Sequence, residues 1–152
     1  MGLDMYLMGE RSVCEYERGM EEAAKKLSAA SEVTRYTHQR PLRAMVVEVM
    51  YWRKANAIHG WFVDHVQGGE DKCRPHPVMF SDLNKLLVLL DEVLADREHG
   101  PKKLAPRAGF FFGSLEVDEW YWKDLEETAA VLREVLAWED LPSWSFTYQS
   151  SW

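Results

Sequence analysis

Long apolar runs are missing from this 152-residue chain. The longest is Leu86–Leu90, far short of the ~20 residues a transmembrane helix requires. A membrane span is therefore not expected. Cysteine is scarce: Cys14 and Cys73 are the only two. Small secreted domains that rely on disulfides use more, in an even framework. Two free thiols in a reducing cytoplasm is the expected state, with a single bridge as the alternative. A basic stripe is also absent. Lys and Arg number 18 against 25 Asp and Glu, for a net charge of −7, and the two signs interleave. Nucleic-acid binding needs clustered cations to neutralise phosphates, so DNA and RNA are not expected partners. The N-terminus shows no basic region followed by an apolar stretch, which argues against a signal peptide. Tyr6 stands where a myristoylation motif wants Ser or Thr. The phosphate-binding pattern G-x-x-x-x-G-K-[ST] does not occur. Cys73 and His76 have metal-ligand spacing but no second pair at a familiar distance. No cofactor is implied.

What the chain does hold is aromatic weight: seven Trp, six Tyr and six Phe. A buried aromatic removes roughly 150–250 Å² from water, so a few can dominate a core. The same side chains anchor interfaces when exposed. Hydrophobic residues make up 47% and charged residues 28%, ordinary for a globular protein. The length fits one domain, residues 1–152.

Periodicity predicts an α+β fold. Leu3, Met5 and Leu7 alternate with Asp4 and Tyr6, which reads as an N-terminal strand. Residues 43–50, with Met45, Val46, Val47 and Val49, read as a strand buried on at least one face. Phe146, Tyr148, Ser150 and Trp152 alternate through a C-terminal strand. Four helices are expected. Met20–Ala30 is thinly apolar, with Glu21–Lys25 and Glu22–Lys26 as i,i+4 pairs. Tyr51–Val66 repeats Tyr51, Ala55, Ile58 and Phe62 at helical spacing. A third helix starts at Ser81 as cap and carries Leu83, Leu86, Leu90 and Val93. The last runs from the cap Asp118 to Trp138. Residues 31–42, 70–80 and 101–109 read as loops. Strands do not alternate regularly with helices, so a small, mainly antiparallel sheet with helices packed on it is expected. Pairing of the two terminal strands would tie down both ends.

Three groups of residues could carry chemistry. Trp52, Asn56, His59 and Val63 share a face of the expected 51–66 helix, with Arg53 beside them. Asn56 and His59 border its apolar stripe, where an unpaired polar group costs roughly 1–3 kcal/mol. Either they bond to backbone from the sheet or the Phe110 segment, or they open on a ligand that stacks on Trp52. In the second case His59 could act as a general base. Lys102, Lys103 and Arg107 precede Gly109-Phe110-Phe111-Phe112-Gly113 and a helix, an arrangement that could hold an anion. The alternative is that Phe110–Phe112 plugs the core. Glu48 interrupts an apolar strand, so it sits on an open face or pairs with Arg43 or Arg53.

Four stretches span the chain: Met1-Gly2-Leu3-Asp4-Met5-Tyr6-Leu7, Tyr51-Trp52-Arg53-Lys54-Ala55-Asn56 with Ile58-His59 and Trp61-Phe62, Gly109-Phe110-Phe111-Phe112-Gly113, and Ser150-Ser151-Trp152. Together they resemble a family of uncharacterised small proteins encoded by bacteriophages and prophages. The resemblance implies a setting, the cytoplasm of a bacterial host. It implies by analogy a protein that binds a host protein or a small anionic ligand, in the manner of a counter-defence factor. Trp52, His59 and Trp122 would then lie on the binding surface. A small hydrolase or transferase acting on a phosphorylated or nucleotide-like substrate, with His59 as base, is the enzymatic alternative. A homodimer built on exposed tryptophans is a third.

Overall fold

In the computed structural model, residues 2–12, 22, 26, 29 and 43–152 are described. Four strands form one antiparallel sheet: β1 (Asp4–Ser12), β2 (Ala44–Arg53), β3 (His76–Val78) and β4 (Trp144–Ser151). Their spatial order is β2-β1-β4-β3. Three helices follow β2: α1 (Asn56–His65), α2 (Phe80–Ala95) and α3 (Glu119–Leu136). The expected α+β class is present. The expected 20–30 helix falls mostly outside the described residues, as does Cys14. Its residues Glu22, Lys26 and Ala29 are helical, and Glu22 pairs with Lys26 at 3.2 Å. Among the described residues no helix is long and apolar enough to cross a membrane.

The terminal strands do pair. Asp4 faces Ser151 and Arg11 faces Trp144 across the β1–β4 ladder. Alternation decides which side chains go inward. Leu3, Met5 and Leu7 are fully buried, as is Tyr148, with Phe146 nearly so. On this face lie Leu83, Leu86, Leu90 and Val93 of α2, and Leu125, Ala129, Leu132 and Val135 of α3. α2 and α3 also pack on each other.

β2 differs from expectation. It is outermost in the sheet among the described residues, so Val46 and Val47 stay 58% and 38% exposed, and Glu48 is exposed. Only Val49, Met50 and Trp52 reach the core. A bulge interrupts its register opposite Leu7 and Met8. β3 was hidden in sequence by Pro75 and Pro77. Pro is tolerated in an outermost strand, where its missing N–H is not needed. α2 is capped at Met79, whose N–H donates to the Asp82 carboxylate at 3.3 Å, so Ser81 lies inside the helix. Asp118 caps α3 as expected, accepting the Tyr121 N–H at 3.0 Å.

Candidate functional site

The helix expected to start at Tyr51 starts five residues later. Residues 44–53 pair with β1 as far as Asp4–Arg53, so Tyr51, Trp52 and Arg53 belong to the sheet. The chain then turns in two residues. Lys54 adopts φ 62, and Ala55, at φ −72 and ψ 65, makes an inverse γ-turn in which the Asn56 N–H donates to the Lys54 carbonyl at 2.7 Å. The Lys54 N–H donates to the Leu3 carbonyl at 2.8 Å, so the N-terminus holds this turn. A left-handed conformation is uncommon for a residue with a side chain and costs about 1–3 kcal/mol. Helix α1 is buried along its whole first eight residues, Asn56 to Val63.

Asn56 is satisfied internally. Its amide NH₂ donates to the carbonyls of Phe112 (3.1 Å) and Ser114 (2.7 Å), and its carbonyl accepts the Arg107 N–H (3.2 Å). The side chain thus clamps the 107–114 segment onto α1. Two glycines permit that segment. A Cβ at Gly109 would fall 2.2 Å from the Phe112 ring, and Gly113 has φ 94 against the Lys54 side chain. Phe112 is the plug: it is buried and stands edge-on to His59 at 4.8 Å. Phe110 is 91% exposed, so the triplet does not act as one.

His59 is 0% exposed, and both ring nitrogens are engaged. Nε2 lies 3.0 Å from the Asp71 carboxylate, and Nδ1 lies 2.7 Å from the Tyr148 hydroxyl. A carboxylate can only accept, which assigns the proton to Nε2 and makes Tyr148 the donor to Nδ1. Asp71 also accepts from the Trp152 indole at 3.2 Å. Burial is the main cause that lowers the His59 pKa, and nearby Arg107 adds to it, against the raising effect of Asp71. Burial likewise pushes the Tyr148 hydroxyl up. The acid–histidine–hydroxyl order resembles a catalytic triad, but Tyr148 is also 0% exposed. No substrate can reach either group. The cluster ties α1 to β4, to the turn after α1, and to Trp152. In this geometry His59 is a buried tie between elements, with both ring nitrogens engaged.

Trp52 is no stacking platform either. It is 3% exposed, and its indole donates to Thr128 Oγ1 of α3 at 2.7 Å. Trp122 is half-buried under the Arg97 guanidinium, 4.8 Å from the ring centroid. It lines neither cavity described below.

Above the Asn56 clamp lies a cavity of about 330 Å³. The β2–α1 turn contributes Arg53, Lys54 and Asn56, and the following loop contributes Gly113, Ser114 and Glu116. The cap and first turns of α3 contribute Asp118, Trp120, Tyr121 and Asp124. Among the described residues, Arg53 and Lys54 form no ion pair, and the Asp124 carboxylate accepts no hydrogen bond. Burial raises the Asp124 pKa to about 6, with the charges of Glu127 and Asp118 adding to the effect against Lys123. Trp120 is 69% exposed. Its ring carries the Lys123 ammonium 5.3 Å from the centroid.

Lys102, Lys103 and Arg107 do converge, on a second hollow of about 550 Å³ between α1, α2 and the 102–107 loop. Two of the three are already neutralised. Lys103 pairs with Glu92 at 2.7 Å, and Arg107 pairs with Asp64 at 2.8 Å while donating to the Gly60 carbonyl. Lys102 is exposed. This weakens the hollow as an anion site.

Asp71, Tyr148, Asp124 and Trp120 were not singled out in the sequence. Asp124 lies one helical turn after Trp120, a spacing that puts the two on one face of α3. Asp71 and Tyr148 carried no signal, since they meet His59 only through the fold. No protein-family model matches the chain, no curated protein is significantly similar to it, and no solved structure significantly matches its fold.

Proposed function

We propose that this is a non-enzymatic binding protein whose site is the 330 Å³ cavity between the β2–α1 turn and the start of α3. One observation carries the reading. Among the described residues Arg53 and Lys54 have no ion partner, and they share a concave space with Asp124, a carboxylate of raised pKa that accepts no hydrogen bond there, and an exposed tryptophan. Pockets of about 300–1,000 Å³ with a few convergent polar groups and a perturbed titratable residue are where ligands bind. The occupant is a small ligand with an anionic group, or a side chain of a protein partner. The bacteriophage resemblance supports a host protein or host metabolite as its source, and a counter-defence role. The 0% exposure of His59 favours the binding reading over the enzymatic alternative with that residue as base.

A thermal-shift screen of bacterial metabolites, with a parallel capture of host lysate proteins, tests this. The expected result is a ligand or partner whose effect disappears in Lys54→Gly and Asp124→Asn. Multiple turnover of any screened compound, or ligands insensitive to both substitutions, would overturn the proposal.

A further inference from the structure

Resting on that reading, we infer that the cavity takes a zwitterion: a carboxylate held by Arg53 and Lys54, and a guanidinium or ammonium held by Asp124, Asp118 and Trp120. The argument is one of charge balance within a single space. A simple anion entering the cavity would meet Arg53 and Lys54 from the β2–α1 turn, but also Glu116, Asp118 and Asp124. A simple cation would meet the reverse. Each is repelled by groups contributed by the other side. A ligand with both charges satisfies both ends.

The two ends differ in more than sign. Arg53 and Lys54 stand on consecutive residues, and among the described residues neither is committed to a carboxylate. Arginine and lysine so placed can grip a carboxylate by charge-assisted hydrogen bonds. At the other end, Asp124 is partly withdrawn from water and, among the described residues, makes no side-chain hydrogen bond. A positive ligand group would restore what burial costs it. Trp120 lines the same cavity as that carboxylate. The Lys123 ammonium stands 5.3 Å from the centroid of this ring, so a ligand cation would replace it there or take the other face. The volume is at the small end for ligand pockets, which suits an amino-acid-sized molecule or one terminal residue of a peptide. Arginine and lysine carry the required pair of charges, either as free molecules or as the C-terminal residue of a host protein. The chemistry recognised is the same in both.

Isothermal titration of the intact protein with L-arginine, with agmatine, which lacks the carboxylate, and with glutarate, which lacks the cation, tests the inference. A peptide ending in arginine and its C-terminal amide distinguish the two sources. The expected result is binding of arginine, with agmatine and glutarate at least about tenfold weaker, the size of one charge-assisted contact. Asp124→Asn should abolish the preference for arginine over glutarate. Lys54→Gly should abolish the preference over agmatine. Asn is isosteric with Asp, and Gly relieves the positive φ at position 54, so both variants should fold, as a circular-dichroism melt checks. Binding of agmatine or glutarate as tight as arginine, still sensitive to the two substitutions, would overturn the zwitterion while leaving the binding site standing. No binding of any probe while the metabolite screen finds a ligand at the same site would also overturn it. No probe and no ligand from the screen would end both readings.

Discussion

At the scale of the residue, two groups of altered acidity play opposite parts. His59 is buried and neutral because desolvation outweighs its carboxylate partner. A histidine whose folded pKa lies below its unfolded value stabilises the fold fully above about pH 6.5 and loses that contribution as pH falls. His59→Ala should cost about 3 kcal/mol, combining a core cavity with an orphaned Tyr148 hydroxyl. Chemical denaturation at pH 7.5 checks this; a loss under about 1 kcal/mol would mean the ring is not a structural tie. Asp124 works the other way. Its folded pKa of about 6 lies above that of a free carboxylate, so the folded state holds its proton more tightly, and stability falls as pH rises from about 4 to 6. Asp124→Asn should therefore stabilise the protein near neutral pH. Allowing for solvent screening, the gain is about 1 kcal/mol, or roughly 2–4 °C in Tm. The gain should vanish by about pH 4. An unchanged Tm at pH 7.5 would contradict the account. In sequence, Asn56 drew notice because an amide sat against a greasy stripe, and its partners proved to be backbone of the Phe112 segment. Asp124 hid because it lies among the acidic residues of α3, where most carboxylates are simply solvated.

At the scale of the element, the β2–α1 junction decides the site. The stretch from Tyr51 was legible as amphipathic, but its period was misread. Tyr51 and Ala55 fall four apart by coincidence, one in a strand and one in a turn. Pairing with β1 won over local spacing, since alternate residues of the ladder up to Arg53 exchange backbone hydrogen bonds with β1. The consequence is that Trp52 points into α3 rather than toward a ligand. Trp52→Phe should keep the packing but leave Thr128 without its donor, costing about 1–2 kcal/mol. It should not change ligand affinity measured by titration. A stability loss accompanied by loss of binding would return Trp52 to the site. β1, β4 and α3 were plain in the sequence, because alternation and an N-cap are local signals. β3 was not, because its two neighbouring prolines look like loop.

At the scale of the whole molecule, the ends of the chain close the structure. β1 and β4 lie side by side, the Leu3 carbonyl holds the Lys54 turn, and Trp152 reaches Asp71 beside the His59 cluster. Leu3–Leu7, Trp52–Phe62, the Gly109–Gly113 segment and Ser150–Trp152 thus assemble one scaffold. Leu3, Asn56, Gly109 and Phe112 build the floor on which the cavity rests. Fold class and sheet type could be read from local patterns. The cavity could not, because the β2–α1 turn and the other walls are distant in sequence, with Asn56 and Pro106 among its lining residues.

The most direct test is an ¹⁵N NMR titration with the compound that most stabilises the protein in the metabolite screen. The account predicts that the Trp120 indole and the Lys54 and Ser114 amides shift together, while the Trp52 indole stays in place. Shifts centred instead on Lys102, His65 and Leu104, or a response of the His59 ring, would contradict it.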